Sequence, residues 1–131
     1  MKPRILIFDA LGGLLVGVLV LIFAPWLVSF YGMPLAFVVF MGIVNVAYGC
    51  YSGTLVLSAR RSRWRLGLLW RANMAWGVLC LVYIAALWEG LTSFGVLHLG
   101  LEAVYVAGLG WLERRWMPDL VREAAAVPGA S

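Results

Sequence analysis

Apolar residues run along this chain in four blocks, each too long for an ordinary soluble helix, with short polar breaks between them. The first runs from about Ala10 to Phe30, with nothing ionisable after Asp9; a single helical crossing of a bilayer needs about 20 such residues. Tyr31, Gly32 and Met33 followed by Pro34 form a break, and the second block runs from Pro34 to Ala59, long enough to tilt. The third extends from about Leu66 to Trp88 and the fourth from about Leu91 to Leu112, with only Glu89 and Gly90 between them. Short turns make sequence neighbours antiparallel neighbours in space. The pattern predicts an all-α, integral membrane four-helix up-down-up-down bundle, with residues 1–131 as a single transmembrane domain. Residues 118–131 are expected to be a short cytoplasmic tail that frays or forms at most a brief surface helix.

Composition agrees with that reading. Hydrophobic residues make up 64% of the 131, against about 45–50% in a soluble domain, and mean hydropathy is +0.97. A disordered chain, a collagen-like repeat and a disulfide scaffold are excluded. Lys2 and Arg4 ahead of LGGLLVGVLVLIFA have the outline of a secretory signal, but Asp9 interrupts it and no A-x-A-like site follows, so the segment reads as a retained span.

Charge sets the expected orientation. The ten basic residues are Lys2, Arg4, Arg60, Arg61, Arg63, Arg65, Arg71, Arg114, Arg115 and Arg122, and on the four-span reading all fall on one side, leaving Glu89 alone on the other. The positive-inside rule then places both termini and the middle loop in the cytoplasm, and the compact size with the strong arginine bias leads to the expectation of a multi-pass protein of a bacterial cytoplasmic (inner) membrane. The net charge of +4 and the run ARRSRWR follow from that arrangement, so anionic lipid headgroups are the expected partner and no nucleic acid is needed. Trp26 and Trp88 mark the outer level, and Trp64, Trp70, Trp111 and Trp116 the inner one; Trp76 alone falls mid-span.

Polar residues that hydrocarbon should exclude locate the candidate site. An acid at the centre of a spanning helix costs about 2.5–3.5 kcal/mol on insertion scales, so one that persists has a partner or a task. Glu102 is near the middle of the fourth span, with His98 one turn before it and Tyr105 three residues after, all on one face. Asn45, Gly49 and Ser52 share a face of the second span, with Tyr48 at its edge; Asn73, Gly77 and Cys80 share a face of the third. Counting inward from the cytoplasmic side puts Asn45 at the depth of His98, Tyr48 near Glu102, and Ser52 and Asn73 near Tyr105. The expectation is one internal polar ladder between spans two, three and four, with Glu102, His98, Tyr105, Asn45, Tyr48, Asn73 and Ser52 as its ligand- or proton-binding residues. Gly13, Gly17 and Ala24 in the first span, and Gly49 and Gly53 in the second, mark faces for close helix approach.

No phosphate-binding loop, nucleophile elbow or zinc-protease motif is present. Cys50 and Cys80 lack a redox or metal-binding spacing and read as small hydrophobes, so no cofactor, metal or catalytic residue is expected. Arg71 is expected to reach toward headgroups, with an ion pair to Asp9 as the alternative. Three functions fit these residues. One is a transporter-like unit that binds a small amphiphile or relays protons at Glu102, in which four helices make so thin a wall that transport calls for a homo-oligomer. Another is a non-catalytic accessory or assembly subunit docked onto a larger membrane complex. The third is a membrane-embedded lipid isomerase using Glu102 and His98 as acid and base.

Overall fold

The computed structural model describes residues 4–58 and 61–126, with side chains described as far as residue 122. Lys2, Arg60 and the last five residues of the expected tail lie outside the described residues. Every regular element among the described residues is a helix: α1 (Arg4–Ile22), α2 (Ala24–Tyr31), α3 (Leu35–Leu57), α4 (Arg63–Ala86), α5 (Ser93–Arg115) and α6 (Met117–Ala126). Of these, α1, α3, α4 and α5 are long and apolar enough to cross a membrane. Large apolar side chains such as Leu11, Leu15, Ile43, Leu81, Leu101 and Val104 face outward along all four. So much exposed apolar surface suits lipid and not water.

Local chemistry explains where the helices start and stop. The first apolar block is divided because Pro25 lies in the first turn of α2 and has no N–H to continue the α1 ladder. α2 ends on Gly32, whose left-handed φ of 68° is a conformation that a side chain disfavours; a Cβ there would also strike the carbonyl of Gly90. Ser62 and Thr92 cap α4 and α5, accepting the N–H groups of Arg65 and Gly95. α5 continues beyond Leu112 to Arg115, with Arg114 and Arg115 in its last turn, where cations suit the negative helix end. The expected tail instead begins as the ten-residue helix α6, pinned by Leu120, which is fully buried.

The long helices associate as two close pairs, α1 with α3 and α4 with α5. Glycine permits both approaches. A Cβ on Gly13 would meet Asn45 O and Gly49 N at 2.7 and 2.9 Å, and one on Gly17 would meet Gly42 O at 2.8 Å. In the second pair, a Cβ on Gly110 would lie 2.9 Å from Trp70 O. Gly53, expected at a packing face, has open space instead, and Gly42 takes that part. Between the pairs lies a seam filled mainly by side chains. One apolar cluster in it joins Val20, Leu27, Phe37, Met41, Trp76, Cys80 and Leu99; the other joins Ile5, Leu6, Leu55, Leu66, Leu69, Leu109 and Leu120. Two polar clusters among the described residues bridge this seam.

Candidate functional site

Glu102, on α5, is the centre of the first cluster and is 8% exposed. Its Oε1 accepts two hydrogen bonds, from Asn45 Nδ2 of α3 at 2.7 Å and from Trp76 Nε1 of α4 at 2.7 Å. Its Oε2 lies 2.9 Å from His98 Nε2, one turn earlier on α5. The other imidazole nitrogen, Nδ1, is 2.8 Å from Tyr31 Oη at the end of α2, and the two rings are tilted against each other with centroids 4.9 Å apart. Tyr31 is held in place by the turn before α5: Thr92 N–H donates to Tyr31 O at 3.0 Å and Thr92 Oγ1 donates to Phe30 O at 2.6 Å.

This arrangement has a definite chemical capacity. Trp76 and the Asn45 amide nitrogen can only donate, so Oε1 stays an acceptor throughout. The other oxygen shares one proton with the imidazole. In one state His98 donates from Nε2 to a carboxylate and accepts the Tyr31 hydroxyl at Nδ1. In the other a protonated Oε2 donates to Nε2, and Nδ1–H donates to Tyr31 Oη. The second state holds one proton more than the first, taken up from outside the cluster while Tyr31 keeps its own, and no heavy atom need move.

Beside Glu102 is a cleft of about 590 Å³ lined by Gly12, Val16, Asn45, His98, Leu101, Glu102, Val104 and Tyr105. Leu101, Val104 and Tyr105 are exposed on the outer surface of α5, so the cleft opens on the flank of the bundle. Asn45, His98, Glu102 and Tyr105 supply its polar groups, and the rest of its lining is apolar.

The second cluster was not foreseen as a unit. Asp9 of α1, Ser52 of α3, Asn73 of α4 and Glu113 of α5 are all buried, Ser52, Asn73 and Glu113 completely. Ser52 Oγ donates to Asp9 Oδ2 at 2.8 Å. Asn73 Nδ2 donates to Asp9 Oδ2 at 3.2 Å and to Glu113 Oε2 at 3.0 Å, bridging the two carboxyls. Asn73 Oδ1 and Glu113 Oε1 are buried with no hydrogen-bond partner, a condition that costs on the order of 1–3 kcal/mol per group.

The single ladder read from the sequence is therefore two clusters. Asn45 meets Glu102 and not the level of His98. Ser52 and Asn73 share a level, as counted, but their partners are Asp9 and Glu113. Tyr48 donates to Ala72 O, and Tyr105, 43% exposed, donates to Phe8 O at 2.7 Å, so neither bonds to Glu102. Arg71 is exposed and lies over the Trp70 ring with Arg114, while Asp9 accepts hydrogen bonds from Ser52 and Asn73. Among the described residues, no group of three or more His, Cys, Asp and Glu is placed to hold a metal. Sequence reasoning missed Trp76 and Tyr31 in the first cluster and Asp9 and Glu113 in the second. Compared with known protein families, curated proteins and solved structures, the chain matches none.

Proposed function

We propose that this protein is a small transporter-like membrane unit that binds an amphiphile in the flank cleft, its polar head against Glu102 and its apolar body among Val16, Leu101 and Val104. One observation carries the reading: a carboxyl bonded from three helices lines a cleft of about 590 Å³ together with the apolar Val16, Leu101 and Val104, a volume within the roughly 300–1,000 Å³ usual for small-molecule sites. The head it suits is an amine or another hydrogen-bond donor. The Tyr31–His98–Glu102 chain supplies or removes the proton that sets the charge of the site.

The proposal includes the up-down-up-down order with both termini on the cytoplasmic side of an inner membrane. Two observations support that order: the start of α1, the end of α3, the start of α4 and the end of α5 share one apolar cluster, and the arginines flank those same ends. Movement of a ligand across the bilayer would call for a homo-oligomer, since four helices enclose little. A scaffold reading, in which the chain is an accessory subunit and Glu102 only fixes helix register, is favoured by one fact: every nearby donor to Glu102 is already engaged.

Dodecylamine titrated into protein-bearing nanodiscs separates the two, with Trp76 fluorescence obtained by subtracting the Trp76→Phe signal. The binding reading predicts a saturable change that weakens about tenfold or more, equivalent to about 1.4 kcal/mol, in Glu102→Gln. An equal response from wild type and Glu102→Gln, both folded, would leave the scaffold reading.

A further inference from the structure

The Glu102 cleft lies where α1 faces α5, and the two helix pairs also face each other where α3 meets α4. Side chains space that second edge. Tyr48 and Tyr51 of α3 reach across it, their hydroxyls donating to Ala72 O at 2.5 Å and to Arg65 O at 2.9 Å on α4. With both hydroxyls turned to backbone, the two tyrosines offer only ring surface to the space beside them, a groove of about 310 Å³.

Helix register gives this groove a charged end. Its α3 wall is Val44, Ala47, Tyr48 and Tyr51, and its α4 wall is Leu68, Leu69 and Ala72. Both sets step by three and four residues, the spacing of one helix face. Continued toward the end of the bundle that bears the arginines, the α3 stripe reaches Thr54 and Ser58, and the α4 stripe reaches Arg65. These three meet: Arg65 Nη1 donates to Ser58 Oγ and Nη2 to Thr54 Oγ1, each at 3.1 Å. A half-buried guanidinium therefore stands at one end of an apolar groove, held by two neutral hydroxyls. Its charge is unbalanced, because no carboxylate lies within ion-pair distance of Arg65 among the described residues. Guanidinium has five N–H donors; two are engaged, and the others are left for an anion.

We propose that the groove between α3 and α4 seats one anionic phospholipid, with an acyl chain against Tyr48, Tyr51 and Leu69 and the phosphate on Arg65. Arginine suits phosphate because its planar donors grip two oxygens at once, and basic pockets between spanning helices recur as seats for anionic headgroups. The open side of the groove selects a lipid of the bilayer. Ala47 and Leu68 are exposed, so one chain can enter from the flank while the other stays among its neighbours. Trp64, exposed and adjacent to Arg65, fits headgroup depth. A chain seated there would fill space that α3 and α4 leave between them and so brace one helix pair against the other. This seat is separate from the Glu102 cleft, and either can fail alone.

The test is native mass spectrometry of the full chain released from detergent micelles and titrated with dioleoyl phosphatidylglycerol. The seat predicts one lipid retained per chain, with dioleoyl phosphatidylcholine and oleate each binding at least about tenfold more weakly. Arg65→Gln should weaken retention by about tenfold or more, while Arg63→Gln, which removes an exposed arginine two residues away, should change it less than about twofold. Ala47→Phe puts a ring into the groove with every arginine in place; it should weaken retention about as much as Arg65→Gln, and it decides the matter if that variant does not fold. Equal retention of phosphatidylcholine, or equal losses in folded Arg63→Gln and Arg65→Gln, would overturn the proposal, because diffuse surface charge or bulk hydrophobicity would then hold the lipid. Oleate retained as tightly as the phospholipid would overturn it in favour of a fatty-acid site, and undiminished retention in folded Ala47→Phe would remove the groove from the account.

Discussion

Replacing Glu102 in two ways separates its hydrogen bonding from its charge. Gln can keep all three contacts: its Oε1 accepts from Asn45 and Trp76, and its amide nitrogen faces His98 Nε2, provided the imidazole takes the tautomer that donates from Nδ1 to Tyr31 Oη. Leu fills a similar volume but accepts nothing. It strands the Trp76 N–H and the His98 ring nitrogen, which lie 2.7 and 2.9 Å from the carboxyl, whereas Asn45 Nδ2 retains its bond to Met41 O at 2.9 Å. A stranded buried donor costs about 1–3 kcal/mol in soluble proteins, and interhelical hydrogen bonds in membranes average about 0.6 and reach about 1.7 kcal/mol. Glu102→Gln should therefore lose less than about 1 kcal/mol, and Glu102→Leu about 2–4 kcal/mol. Reversible unfolding by SDS in mixed micelles, followed by far-ultraviolet circular dichroism, measures both. Equal losses for the two variants, or none for Glu102→Leu, would refute the reasoning, because the first makes charge and not hydrogen bonding the stabilising element and the second removes Glu102 from the seam.

Other predictions use the same assay or simple spectroscopy. Gly49→Ala puts a Cβ at 2.6 Å from Leu14 N and 2.8 Å from Ala10 O, backbone atoms that cannot step aside, and should cost about 1–3 kcal/mol; Gly53→Ala, with nothing within 4 Å, should be neutral or stabilising by up to about 1 kcal/mol. Tyr31→Phe keeps the ring against His98 but removes the hydroxyl, so it should cost about 0.5–1.5 kcal/mol and shift the His98 Nδ1 resonance in nitrogen-15 spectra. Gly32→Ala forces a side chain into a left-handed conformation at φ 68° and into the Gly90 carbonyl, for a loss of at least about 1–2 kcal/mol. Leu120→Ala should detach α6 from its buried seat at about 2–5 kcal/mol, read as faster proteolysis after Arg122.

The four long apolar helices were legible because bulk hydropathy over some twenty residues is a strong signal, and Glu102 and His98 because ionisable groups are rare in such stretches. The ends were less legible. Apolar blocks were closed at the first charge, which put Asp9 before the first helix and Glu113 beyond the fourth, whereas both helices run through those charges and bury them. A signal for Glu113 was present: it follows Glu102 by eleven residues, close to three whole turns at 3.6 residues each, and so shares its face. Trp76 could also have been flagged, as the one mid-span tryptophan, because an indole N–H in hydrocarbon needs an acceptor. Tyr31 could not. It sits in a break, and its partner His98 is 67 residues away, brought near only when α2 and the turn at Thr92 clasp. The depth count misplaced Asn45 by about a turn because it started from Ala59 and Leu112, whereas α3 ends at Leu57 and α5 runs on to Arg115.

The account depends most on Glu102 turning into the seam to meet Trp76 across helices. Solid-state magnetic resonance of the protein in bilayers, with nitrogen-15 in the tryptophan indoles and carbon-13 in the glutamate side-chain carboxyls, measures that contact directly. An N···O separation of 2.7 Å predicts one strong dipolar coupling, corresponding to a nitrogen-to-carbon distance under about 4 Å, which disappears in Trp76→Phe and in Glu102→Gln. If no such coupling is found in the folded protein, Glu102 does not bridge α4 and α5, and the polar seam is not where this account places it.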